Sequence, residues 1–259
     1  MRAGPLASAI THMDLLRNLT LKDFRLRYRN SALGFLWSLL NPLAMMVVLT
    51  IFYSVLFPSS VPDYPLFVLP SLLAWRFFAV GTSTSVESIA GNTSLVTKVY
   101  LPRWLLVLAS NLANMLGASV EFIALFPLMV VLGAKLTFLI ALLPVVLVLE
   151  LLLILGFSLI LASLNVYSRD FGQIWEIFLQ AAFFLSPIFY SQNVVPQKYQ
   201  IIYSVNPIAR IVETIRKILY SGVAPTPFDI LIVAGAAVIM IVLGALVFNR
   251  LESGFGELV

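Results

Sequence analysis

Apolar residues run through this chain in long stretches broken by short polar clusters, rather than in the strict alternation of half-buried strands. Six stretches approach or exceed the roughly 20 mostly apolar residues a helix needs to cross a bilayer core. They fall near 32–57, 64–86, 104–132, 138–164, 171–190 and 228–248. The second carries Arg76 and a polar run over 81–85, and the short fifth carries Glu176 and Pro187.

Two further elements do not span. Ahead of the first stretch, Asp14, Asn18, Lys22, Arg25 and Arg29 share one side of a helix, and Leu15, Leu16, Leu19 and Leu26 share another. This pattern predicts an amphipathic helix in the headgroup layer. Thr11 with Asp14, and Thr20 with Asp23, resemble capping boxes, so two short helices meeting near Thr20 are expected. Its role is open between a plain orientation anchor and an interface that contacts a cytoplasmic partner. Residues 191–227, between the last two stretches, are too many for a structureless loop. There Asn206 suits an N-cap and Pro207 the first helical turn. Ile208, Ile211, Val212, Ile215, Ile218 and Leu219 repeat at helical spacing, and Gly222 can end the helix. Glu213 is placed to pair with Lys217. With 197–204 ahead of them, these residues predict two short helices dipping back from the outer surface. They would form either a cap on the bundle or an external gate built on Asn206, Pro207, Arg210, Glu213 and Lys217.

Composition agrees. The chain is 61% hydrophobic and 11% charged, against about 25% charge in soluble domains. The expected class is an all-α polytopic membrane protein with six transmembrane helices. Its expected parts are a cytoplasmic amphipathic segment (1–31), one transmembrane domain (32–250) and a cytoplasmic tail (251–259). No fixed-period repeat is present, and residues 1–13 lack a continuous apolar run, so no cleaved signal peptide is expected.

Charge sets the orientation. Of 16 Lys and Arg, ten fall on the side of the N-terminus and five on the other, with Arg76 between. Six of the ten precede the first span, which places both termini in the cytoplasm and the protein in the inner (plasma) membrane. The net charge of +4 clusters at membrane edges, not along one soluble face, so nucleic acid is not an expected partner.

Candidate chemistry is sparse. There is no cysteine, the one histidine is His12, and no G-x-x-x-x-G-K-[ST] occurs. No catalytic residue and no metal site are expected; Asp170 and Glu176 read as a solvated helix start. Arg76, Glu121 and Glu150 lie 11 or 12 residues into their stretches, hence at similar depth near the bilayer middle. Charges there pair or face water, so Arg76 is expected against Glu121 or Glu150. The pairing would serve either helix packing or a polar patch on a substrate path.

Three groups of residues carry a resemblance. The first is Asp23, Arg27-Tyr28-Arg29, Ser31, Leu33-Gly34, Trp37 and Leu40-Asn41-Pro42. The second is Trp75, Phe77-Phe78, Ser88-Ile89, Asn92, Leu95-Val96, Lys98-Val99 and Pro102-Arg103. The third is Ser186-Pro187, Asn206-Pro207, Arg216 and Gly222. In this order and six-span frame the chain resembles the membrane subunit of type-2 ABC exporters, specifically the polysaccharide-export permeases for O-antigen, capsule and teichoic acid. Arg76 departs from that pattern, standing where the resemblance implies a polar, uncharged residue.

The resemblance implies a homodimer with two copies of a separate P-loop ATPase, which would bind ATP and Mg; this chain would hold no cofactor itself. Docking would use the amphipathic helix and 89–103, through Lys22, Arg25, Arg29, Asn92, Lys98 and Arg103. The cargo would be a lipid-diphosphate-linked polysaccharide, as in lipopolysaccharide biosynthesis. Arg25, Arg27, Arg29 and Arg103 would attract its phosphates, or simply set topology and bind anionic membrane lipid. Tyr53, Phe57, Phe183, Phe184, Phe189 and Tyr190 would either stack on sugar rings along the path or form an interfacial aromatic belt. Exporters of a smaller lipid or drug, secondary transporters or channels, and membrane-embedded enzymes are the competing classes. No matched inverted halves or acidic loop cluster favours the last two.

Overall fold

A computed structural model describes residues 5–29, 34–56, 61–98, 101–135 and 137–258. The elements described are helical. Five helices are long and apolar enough to cross a membrane: α2 (Leu36–Leu56), α3 (Tyr64–Val86), α5 (Trp104–Val131), α6 (Leu143–Tyr167, entered through a 3₁₀ turn at Phe138–Leu142) and α10 (Pro227–Leu251). The shorter elements are α1 (Pro5–Tyr28), α4 (Thr93–Lys98), α7 (Asp170–Leu185), α8 (Gln197–Val205), α9 (Pro207–Arg216) and α11 (Phe255–Leu258).

The centre of the bundle is α3, with 78% of its apolar window buried, against 11% for α2 and 17% for α10. Its buried serine and threonine hydroxyls donate within their own helix. Ser71 donates to the Phe67 carbonyl, Thr82 to Phe78 and Ser85 to Gly81, as expected where lipid or packed side chains exclude water. α10 lies along α6 at a close crossing. A Cβ on Gly156 would stand 2.4 Å from the Met240 carbonyl carbon, and one on Gly244 would stand 2.5 Å from the Gly156 carbonyl oxygen. Small residues let helix backbones meet this way in membranes.

Three expectations change. The N-terminal segment is one helix, α1, not two. Thr20 lies inside it, buried, with its hydroxyl making no hydrogen bond among the described residues; the buried face around Leu19 carries the helix through the capping signal. The fifth stretch ends at Leu185 rather than near 190. Pro187 forces its predecessor out of the helical region, and Ser186 is extended. At about 1.5 Å per residue, α7 is roughly 24 Å long, short of a ~30 Å core. Third, Glu213 pairs with Arg216 at 3.0 Å, while Lys217 pairs with Asp229.

The helices between the last two stretches otherwise form as the residues dictate. The Asn206 side chain accepts from the Ile208 and Ala209 amides, Pro207 opens α9, and Gly222 terminates the segment with φ 67°. A Thr226–Asp229 capping box starts α10.

Candidate translocation path and coupling surface

At the end opposite α8 and α9, helices α1, α4, α5, α6, α10 and the tail share a second apolar core. It includes Leu19, Ile89, Val96, Val107, Ala162, Phe248 and Phe255. Lys22 donates to Asn92 Oδ1 at 3.2 Å, and Asn92 donates to the Ser88 carbonyl at 2.9 Å, so α1 is tied to the polar segment that follows α3. Arg103 donates to the Glu252 carbonyl and lies 5.8 Å from the centre of the Phe255 ring. Arg25 and Arg29 are exposed, as are Gly91, Thr93, Ser94 and Thr97. Lys98 ends α4, but its side chain lies outside the described residues. In α1, burial pushes the Asp23 carboxyl up from its ordinary value, partly offset by Lys22 and Arg27.

Further into the bundle, Arg76 Nε meets both Glu121 oxygens at 3.3 Å, which selects Glu121 over Glu150 as its partner. Glu150 is 1% exposed, and its Oε2 has no hydrogen-bond partner among the described residues. Nearer the α1 end, Arg27 donates to Asn114, and Asn114 in turn donates to the Thr84 hydroxyl at 2.7 Å. Asn111 Oδ1 accepts from Ser85 and Ser158, and Asn165 donates toward Glu87 and the Val86 carbonyl. These asparagines were missed as a set. Their signal was legible: Asn111 and Asn114 sit at i,i+3 within an apolar helix, so they share a face.

The aromatic candidates do not form one surface. Tyr53 is buried, stacked on Tyr64 at 4.2 Å, and the Tyr64 hydroxyl donates to the Phe189 carbonyl. Phe57 lies outside the described residues. The others form a row: Trp75 meets Phe183, Phe183 stacks on Phe189, and Phe189 meets Tyr190 at 5.0 Å. The Tyr190 hydroxyl donates to Tyr203 in α8 at 2.9 Å. Phe184 flanks the row and is 66% exposed. Below it on α7, Gln173, Glu176 and Gln180 are also exposed. Helical spacing puts all four on one stripe, polar at one end and aromatic at the other. Gln173 and Gln180 were not singled out in the sequence; their spacing of seven beside Glu176 was the available signal.

Of the candidate gate residues, Arg210 and Lys217 clamp Asp229 at 2.9 and 2.8 Å, fastening α9 and the turn that follows it to α10. Arg216, 3% exposed, donates to Ser71 and to the Pro187 and Ile188 carbonyls, fastening α9 to α3 and to the turn after α7. Among the described residues, no three His, Asp or Glu side chains gather as a metal site requires.

The helical bundle thus carries a polar surface at one end and a polar–aromatic stripe along a short helix. The model of the ABC-2 type transporter family matches residues 14–220, and the chain belongs to that family, as a transport subunit. It is similar to an O-antigen export system permease protein of Klebsiella pneumoniae (27% identical over 95% of each chain) and to one of Myxococcus xanthus (29% identical, also over 95% of each). It also resembles a polysialic acid transport protein of Escherichia coli (25% identical over 79% of this chain and 80% of that one).

Proposed function

We propose that this chain is the membrane half of an ATP-driven exporter of lipid-linked polysaccharide, of the O-antigen or capsular class. Two copies would enclose the path, and two ATPase subunits would dock on the cytoplasmic end. The observation that carries the reading is the stripe Gln173–Glu176–Gln180–Phe184. Three exposed polar side chains along a helix in an otherwise apolar shell are unfavourable against lipid and need water or a partner. Across a dimer axis, that stripe supplies amide and carboxylate groups for sugar hydroxyls and aromatic faces for sugar rings. Contacts of this kind are weak and repeated, which a sliding polymer requires.

In this reading α7 with the turn 186–190 makes a sixth crossing, so both termini are cytoplasmic. The abundance of Lys and Arg before α2 supports that orientation. α1 and 89–103 receive the ATPase, and the outer helices α8 and α9 close the far end. The relatives named for O-antigen and polysialic acid transport support a polysaccharide cargo over a small lipid or drug.

Affinity purification of the tagged chain from native membranes tests this. A stoichiometric P-loop ATPase should co-purify, and altering Asn92 and Arg103 together should release it. A stable chain with no ATPase partner would overturn the reading.

A further inference from the structure

The polar run at the end of α3 is where this helix is bonded to its neighbours. Thr84 accepts from Asn114 of α5 at 2.7 Å and from Arg27 of α1 at 3.4 Å. Ser85 bonds Asn111 of α5, which also bonds Ser158 of α6. Thr82, fully buried, accepts from Trp175 Nε1 of α7 at 2.9 Å. The Thr82 hydroxyl gives its own hydrogen to the Phe78 carbonyl, so its lone pairs are free for the indole, which can only donate. Among the described residues, this is the one side-chain hydrogen bond that ties α7 to another helix.

The rest of this contact is packing. The Trp175 ring stacks on Phe178 at 4.9 Å and meets Phe157 of α6 at 5.6 Å and Phe78 of α3 at 6.4 Å. Ring contacts tolerate sliding, whereas a hydrogen bond to one oxygen fixes direction. At about 100° per residue, Gln173, Glu176, Gln180 and Phe184 lie on the side of α7 away from Trp175. Holding the indole to α3 therefore aims the stripe out of the bundle. Thr82 also lies about one helical turn before the end of α3 at Val86, and the segment proposed to receive the ATPase begins at Ile89. We propose that Trp175 is a positioning residue for transport: its bond to Thr82 makes α7 turn with the end of α3, so that movement of the ATPase-bound segment rolls the stripe relative to the path. The proposal rests on the export reading above and adds the link between its docking end and its path.

The test uses the full chain with its co-purified ATPase in proteoliposomes and reads polysaccharide exported per ATP hydrolysed. Trp175→Phe keeps a ring and removes the N–H; Thr82→Val keeps the shape and removes the acceptor. Each should lower export per ATP about fivefold or more while ATP hydrolysis stays within about twofold of wild type, and the double variant should be no worse than either alone. Thr82→Ser keeps the acceptor and should export within about twofold of wild type. A merely structural role gives the reverse: a lower melting temperature and less complex, with normal export per ATP in whatever complex assembles. That result would overturn the proposal. A second measurement needs neither variant. The chain has no cysteine, so Gln180→Cys supplies the permease with its one thiol. Its labelling by a water-soluble maleimide should change severalfold between nucleotide-free and vanadate-trapped complex. Equal labelling in the two states would overturn the rolling of α7. Failure of the export reading shows separately, as a wild-type complex in which ATP drives no export.

Discussion

Arg216 offers the sharpest test of how α9 is held. Its guanidinium is 3% exposed and serves Ser71 Oγ at 2.8 Å, the Pro187 carbonyl at 2.7 Å, the Ile188 carbonyl at 3.1 Å and Glu213 at 3.0 Å. Its carbon also stands 3.7 Å from the centre of the Phe67 ring. Methionine fills similar volume but donates nothing, so Arg216→Met leaves two carbonyls and a half-buried carboxylate without donors. Breaking a buried pair by removing one partner costs about 3–5 kcal/mol. Each kcal/mol shifts the melting temperature of a chain approaching this size by about 2–4 °C, so a fall of roughly 10 °C is expected. Arg216→Lys keeps the charge but cannot span four acceptors, and should lose about 1–3 kcal/mol. Adding Glu213→Gln to Arg216→Met removes the stranded charge and should recover part of the loss. Thermal unfolding in mild detergent, read by size exclusion, measures all four proteins. If Arg216→Met melts within about 2 °C of wild type, the network does not fasten α9.

Four further outcomes follow from the geometry. Gly244→Leu drives a side chain into the Gly156 backbone and should cost about 1–3 kcal/mol or more by overpacking, read as a lower melting temperature and earlier proteolysis of the tail. Phe255→Ala empties a fully buried ring position beside Arg103; about 3–5 kcal/mol of local packing is lost, and ATPase co-purification should fall with it. The Arg76→Glu/Glu121→Arg exchange should regain folding that either single change loses, with expression in membranes as the readout. Gln173→Leu with Gln180→Leu should leave the melting temperature within a few degrees, since both are exposed, while polysaccharide export drops severalfold.

What the chain disclosed in advance depended on period and on special residues. The long apolar runs located α2, α3, α5, α6 and α10, because a single long apolar segment satisfies its own backbone in hydrocarbon only as a helix. Asn206, Pro207 and Gly222 marked α9 and its end through local chemistry that tertiary contacts did not override. Equal depth in the sequence pointed Arg76 to Glu121 and Glu150 alike, since depth fixes level and not azimuth around a helix. Thr20 misled because a capping signal is worth about 1 kcal/mol, less than burying the face on either side of it. Arg216 was noted as part of a family pattern, yet its partners Ser71, Pro187 and Ile188 come from elements far away in sequence, and no period records that. Phe255 was invisible for the same reason: a lone aromatic in a polar tail becomes core only when the tail folds back beneath α4 and α6.

The central claim is ATP-driven movement of a lipid-linked polymer through a dimer of this chain. It is tested most directly in proteoliposomes holding the chain and its co-purified ATPase, loaded with lipid-linked polysaccharide and probed from the opposite side with a glycan-cleaving enzyme. The account predicts that added ATP exposes the polymer, and that neither a non-hydrolysable analogue nor the Gln173→Leu/Gln180→Leu protein does so at a comparable rate. Polymer that crosses equally well without ATP, or never crosses in an ATP-hydrolysing complex, would contradict it.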